Sequence, residues 1–145
     1  MRLAGKHAYL DTNIFILAIE DGHASQPNLK ELFVAIDDRA VRATTSDLTL
    51  AELISKPLAQ GAQDLVDIYE AILSPDGAIE TRAVERTVLR SAAALQGRLA
   101  VKLHDAIHVA TALAAECDCF ISNDRTLGRR LPAGLDWITS DGLAR

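Results

Sequence analysis

Two acids in this chain follow runs that read as buried strands. Asp11 comes directly after Ala8-Tyr9-Leu10, and Asp124 after Cys119-Phe120-Ile121-Ser122-Asn123. Two more stand on helical patterns. Glu52 is the carboxylate within the apolar stretch Leu48 to Ile54, and Asp105 opens a regular alanine-rich segment. Each has a plain explanation alone: Asp caps helices well, first-turn acids complement the helix dipole, and Glu52 suits a solvated helix edge. Together at the carboxyl edge of one sheet, where ligands of open parallel sheets gather, they have a chemical one. Clustered carboxylates repel, and without a cation some must take up protons. Hard oxygen donors of this kind suit Mg²⁺ or Mn²⁺. Such an ion polarises a phosphoryl oxygen, lowers the pKa of a bound water and stabilises a leaving oxygen. That chemistry hydrolyses a phosphodiester.

The elements that must position these acids follow from periodicity and breakers. A first strand ends on Asp11, and helices are expected over 12–20 and 29–38 with a loop over 21–28 between them. A second strand over 41–45 leads through the N-cap Ser46 into a helix over 47–56, which Pro57 should end. A helix over 62–73, a turn over 74–77, a strand over 78–81 and a long helix over 82–97 come next. The carboxyl-terminal third reads as a helix over 103–116, a strand over 117–122, a short helix over 125–130 and an edge strand over 135–139. Strands alternating with helices in this way imply an α/β fold, a three-layer α/β/α sandwich with a central parallel sheet of about five strands. A chain of 145 residues is expected to be one domain, spanning 1–145.

A hydrophobic fraction of 49% and a charged fraction of 24% are those of an ordinary globule. No apolar run approaches the roughly 20 residues of a membrane span, and Asp11 interrupts the only early apolar stretch, so no signal peptide is expected. Cys117 and Cys119 lack further ligands for a zinc site. They read as small buried residues, which suits a reducing cytoplasm.

The formal net charge of −5 argues against a simple nucleic-acid binder, which carries a basic footprint. One bound divalent ion would bring the formal charge to about −3 (−5 + 2) and two to about −1 (−5 + 4). Positive charge also collects beside the acids: Lys102 precedes Asp105, and Arg125, Arg129 and Arg130 follow Asp124. Arg82, Arg86 and Arg90 recur every four residues and are expected to line one face of the 82–97 helix, as a solvated face or as a contact for RNA or a protein.

The stretches Tyr9-Leu10-Asp11-Thr12-Asn13, Leu50-Ala51-Glu52-Leu53, His104-Asp105-Ala106-Ile107-His108-Val109-Ala110-Thr111-Ala112 and Phe120-Ile121-Ser122-Asn123-Asp124 carry a family resemblance. In order and spacing the chain resembles a PIN domain, and more narrowly the VapC-type toxins of bacterial toxin–antitoxin pairs. The resemblance implies a Mg²⁺- or Mn²⁺-dependent endoribonuclease with Asp11, Glu52, Asp105 and Asp124 as catalytic, metal-binding acids. It places Ser122 where the family carries a Thr or Ser hydrogen-bonded near the metal. It also implies a cognate antitoxin protein and a homodimer. Thr12 and Asn13 are expected to shape the turn after Asp11, and His108 to be a packed helix residue. Two rival readings are a structure-specific DNA nuclease of the same superfamily, for which 145 residues leave little room, and an inactive PIN-fold interaction module. The presence of all four acids speaks against the second.

Overall fold

In the computed structural model, which describes residues 2–21 and 26–144, strand β1 (His7–Leu10) is buried along its whole length. It is followed by α1 (Thr12–Ile19), α2 (Pro27–Asp37), β2 (Arg42–Ser46), α3 (Asp47–Ala59), α4 (Gln63–Ile72) and β3 (Ile79–Arg82). Then come α5 (Arg86–Leu99), α6 (Leu103–Ala114), β4 (Cys119–Ile121), α7 (Arg125–Gly128), β5 (Asp136–Ile138) and a 3-10 helix over Asp141–Ala144. The expected loop over 21–28 lies partly outside the described residues, as do both ends of the expected 1–145 domain.

The strands form one five-stranded sheet in the order β3-β2-β1-β4-β5, and every neighbouring pair is parallel. Side chains alternate across it as the two-residue period of a strand requires. Ala8 and Leu10 of β1, with Cys119 and Ile121 of β4, join a core with Ile14, Phe15, Leu32, Ile36, Leu53 and Tyr69 from α1 to α4. Tyr9 and Phe120 point the other way, into a second core with Ala92, Leu95, Ala106, Val109 and Leu127 from α5 to α7. Their rings stack with centroids 5.1 Å apart. These two cores make the three-layer α/β/α sandwich that the alternation of elements implies.

Three local expectations are corrected. Pro57 does not end α3, which continues to Ala59. A proline in the last turn forfeits one intrahelical hydrogen bond, and buried Pro57 is offset there by packing, with Gln60 and Ala62 closing the end through the carbonyls of Lys56 and Pro57. The long helix does not begin at Arg82. β3 extends through Arg82, which pairs with Ser46 of β2, and α5 starts only at Arg86. Pairing with β2 overrides the helical pattern of that stretch. The expected arginine row is therefore broken: Arg86 and Arg90 remain four apart on α5, while Arg82 contacts Glu80 at 3.0 Å. Cys117 and Cys119 are both free and buried, as expected, and burial pushes each thiol up to about 12.

Candidate active site

The chain leaves β1 toward β2 and β3 on one side of the sheet, and returns through β4 toward β5 on the other. The order thus reverses between β1 and β4, and the crevice at the carboxyl ends of two such strands is where open α/β sheets bind ligands. Asp11 follows β1 and Ser122 follows β4. Ser122 Oγ donates to Asp11 Oδ2 at 2.6 Å, joining the two strands across that crevice.

Asp11 is 5% exposed, and both of its oxygens are held. Thr12 N donates to Oδ1 at 2.9 Å, so the acid does cap α1. Asn13 Nδ2 donates to Oδ2 and to Ser122 Oγ, each at 3.1 Å, while Asn13 Oδ1 accepts from Asn123 N at 3.0 Å. Thr12 and Asn13 thus shape the turn as expected, and they also fix the carboxylate. Asp124 N donates to Ser122 Oγ at 3.0 Å, and Asp124 Oδ1 caps α7 by accepting from Leu127 N at 3.1 Å. One hydroxyl therefore ties the end of β1 to the start of α7.

Glu52 is not a solvated helix edge. Its Oε1 accepts from Thr12 Oγ1 at 2.8 Å and from His108 Nε2 at 2.6 Å. His108 is 1% exposed, and its Nδ1 is hydrogen-bonded to the Tyr9 hydroxyl at 2.6 Å. His104, one turn earlier on α6, places Nδ1 3.4 Å from Glu52 Oε2 and 3.4 Å from Asp105 Oδ1. The sequence reading assigned His104 no role and took His108 for packing alone. The signal was the spacing itself, since residues four apart on a helix share a face, and Asp105 lies beside His104. Tyr9, read only as part of a strand, anchors His108 from below.

Proton affinities follow from these contacts. Burial pushes the Asp105 carboxyl up, the charges of Asp11 and Asp124 add to this, and His104 and His108 only partly offset it. Burial also acts upward on Glu52, but its bonds to His108 and Thr12 and the nearby imidazoles win, leaving it below the usual carboxylate range. Burial acts downward on His108, yet the Glu52 bond and the charges of Asp11, Glu52 and Asp105 raise it above the ordinary histidine value.

Asp11, Asp105 and Asp124 thus interact as like charges at one place, which is the donor chemistry of a hard divalent cation. Among the described residues, no three His, Cys, Asp or Glu side chains are grouped so that together they could hold a metal ion. That arrangement still fits Mg²⁺, which is usually held by one or two carboxylates with waters and substrate phosphates completing its shell. Among the described residues, every buried side-chain nitrogen and oxygen has a hydrogen-bond partner. Asp11, Glu52 and Asp124 are therefore held in place by the protein's own hydrogen bonds.

Of the cations expected beside the acids, Lys102 and Arg130 line the same cavity as Asp105 and Asp124, whereas Arg125 and Arg129 are exposed and do not line it, and neither do Arg86 and Arg90 of α5.

The family model described as PIN domain matches residues 8–130. The chain belongs to the PIN domain family. Members of this family are typically nucleases acting on phosphodiester bonds. The fold of this PIN domain is similar to that of solved toxin–antitoxin structures. One is a DNA-bound VapBC from Salmonella typhimurium, with a TM-score of 0.71, 19% identity, and coverage of 93% of this chain and 98% of that one. Another is VapBC2 from Rickettsia felis bound to a promoter DNA fragment, with a TM-score of 0.68, 17% identity, and coverage of 92% and 98%. FitAB bound to an IR36 DNA fragment aligns with a TM-score of 0.68 at 15% identity, covering 92% and 94%. At these identities the likeness is one of fold. No curated protein matches the sequence of this PIN domain, and no helix among its described residues is long and apolar enough to cross a membrane.

Proposed function

We propose that this PIN domain is a Mg²⁺- or Mn²⁺-dependent endoribonuclease, the toxin component of a type II toxin–antitoxin module acting in the cytoplasm, with Asp11, Glu52, Asp105 and Asp124 as its working acids. The observation that carries the reading is the Ser122–Asp11 hydrogen bond of 2.6 Å at the point where the strand order reverses, with Asp105 and Asp124 beside it. One or two of Asp11, Asp105 and Asp124 would hold the ion directly and the rest through its waters, with Glu52 completing the acidic wall. A bound divalent ion supplies charge to the phosphoryl oxygens and lowers the pKa of a coordinated water.

The chain's own groups do the rest. Ser122, Asn13 and the Thr12 amide hold Asp11 in one orientation, so none of its reorganisation falls within the reaction. Without an ion, burial and the charges of Asp11 and Asp124 raise the proton affinity of Asp105, and a bound divalent ion would offset that repulsion. His108 and Thr12 fix Glu52 through Oε1, leaving Oε2 toward His104 and the Asp105 side of the site.

The acidic site is also complementary to a guanidinium, whose fork matches carboxylates in two-point contact. A cognate antitoxin would silence the enzyme by inserting an Arg or Lys among the four acids, and the active protein would be a homodimer. Cleavage of a generic single-stranded RNA, with Mg²⁺ or Mn²⁺ and then with chelator, tests the reading. Metal-dependent cutting of RNA but not DNA is expected. Cutting that survives the chelator, or no cutting with metal present, overturns it.

A further inference from the structure

Beside the acids lies a cavity of about 600 Å³, within the usual size range for a small-ligand pocket. Asp105 and Asp124 line it together with Lys102 and Arg130. Among the described residues, neither cation has an ion-pair partner. Arg130 donates from Nη1 to the carbonyl of Ala100, the left-handed residue that closes α5. A neutral acceptor thus holds the guanidinium at the rim without cancelling its charge, and most of its five N–H donors remain for a ligand. Val101 adds an apolar surface, and the Gln96 amide offers both a donor and an acceptor.

Acids on one wall, unpaired cations near them, and an apolar surface with a reading group match the parts of one nucleotide. Single-stranded RNA is recognised by phosphate contacts together with splayed bases that are packed and hydrogen-bonded at their edges. We propose that this cavity is the subsite for the nucleotide adjoining the scissile phosphate. The neighbouring phosphate lies on Arg130 and Lys102, and the base lies against Val101 with Gln96 at its edge. This rests on the ribonuclease reading above.

The test uses binding, which does not require cleavage. The non-cutting Asp11→Asn protein is titrated with fluorescent single-stranded hexamers of each base at several salt concentrations. Arg130→Ala and Lys102→Ala, placed separately in that background, should each weaken binding roughly tenfold. Each should also make the slope of log affinity against log salt shallower by about 0.7, the loss of one phosphate contact on a single strand. Gln96→Ala should leave that slope alone and even out the preference among the four hexamers. All three side chains are exposed, so the fold is not at stake. Affinity within twofold of the parent and an unchanged salt slope in both cation variants would overturn the subsite. So would variants that lose binding to an antitoxin while keeping RNA. Failure of the wild-type protein to cut RNA with metal would instead strike the ribonuclease reading, which the binding arm does not touch.

Discussion

His108 Nε2 lies 2.6 Å from Glu52 Oε1, and the imidazole that makes this contact is almost wholly enclosed, at 1% exposure. Because Nδ1 of the same ring meets the Tyr9 hydroxyl at 2.6 Å, one side chain links β1, α3 and α6. His108→Ala removes the imidazole partner of the buried Tyr9 hydroxyl and one of the two hydrogen bonds to Glu52 Oε1, which keeps the bond from Thr12. An orphaned buried polar group costs about 1–3 kcal/mol, and water reaches Glu52 more easily than Tyr9, so a total loss of roughly 2–4 kcal/mol is expected. His108→Gln keeps a donor toward Glu52 and should recover part of that loss. Urea unfolding curves of the two variants measure the difference. Equal stability of both with wild type would mean the contact contributes nothing.

Asp11→Asn should remove cleavage and cost only about 1 kcal/mol of stability. An amide keeps the shape, and its one oxygen can still accept from Ser122 and Asn13, but the NH2 in place of Oδ1 cannot accept from Thr12 N, so that cap is lost. Thermal melts and RNA cleavage with metal supplied check the two halves. Full residual cleavage in folded protein would take Asp11 out of the chemistry.

The raised proton affinity of Asp105 sets a pH dependence. Burial and the charges of Asp11 and Asp124 hold its folded pKa above the ordinary value. A group shifted in that direction contributes stability below its unfolded pKa of about 4, and loses it as pH rises through the folded value. The metal-free protein should therefore lose stability as pH climbs above about 4, and Asp105→Asn should flatten that loss. Added Mg²⁺ or Mn²⁺ should restore stability at neutral pH, since the ion binds the folded state. Melting curves from about pH 4 to 8, with chelator and with metal, supply the measurement.

Asp124 caps α7, and one substitution separates that cap from the proposed place at the ion. Asn caps helices about as well as Asp, so Asp124→Asn should keep α7, whose Leu127 amide it holds at 3.1 Å. Removing its charge should relieve Asp105 and make the metal-free protein at least as stable as wild type. The stabilisation by metal should shrink. An identical metal response in both proteins would remove Asp124 from the site.

Gly128 is a steric requirement for the site. A Cβ there would come within 2.1 Å of Trp137 Cε2, and Trp137 Nε1 donates to the Ser122 carbonyl at 2.9 Å. Gly128→Ala must displace the indole, at a cost of about 1–3 kcal/mol. It should also lower cleavage, because Ser122 orients Asp11. Trp137 is the chain's single tryptophan, so its fluorescence reports the displacement directly. An unchanged spectrum and unchanged cleavage would count against this coupling.

The sequence by itself determined the α/β alternation, the all-parallel sheet of five strands, and the placement of Asp11 and Asp124 at the ends of strands. These are local properties: a two-residue or 3.6-residue apolar period, a breaker, and a small polar residue at a helix start. Where the outcome depended on a neighbour far along the chain, local pattern failed. Arg82 carries a helical spacing with Arg86 and Arg90, but the ladder to Ser46 draws it into β3. Pro57 reads as a stop, but packing carries α3 past it. Glu52 looked solvated because its partners, Thr12 and His108, lie 40 and 56 residues away. The same distance in sequence hid the joining of Asp11 to Ser122, 111 residues apart. A carboxylate's burial and proton affinity are set by what surrounds it in space, so only the tertiary structure showed what holds Asp11, Glu52 and Asp124 and what raises Asp105.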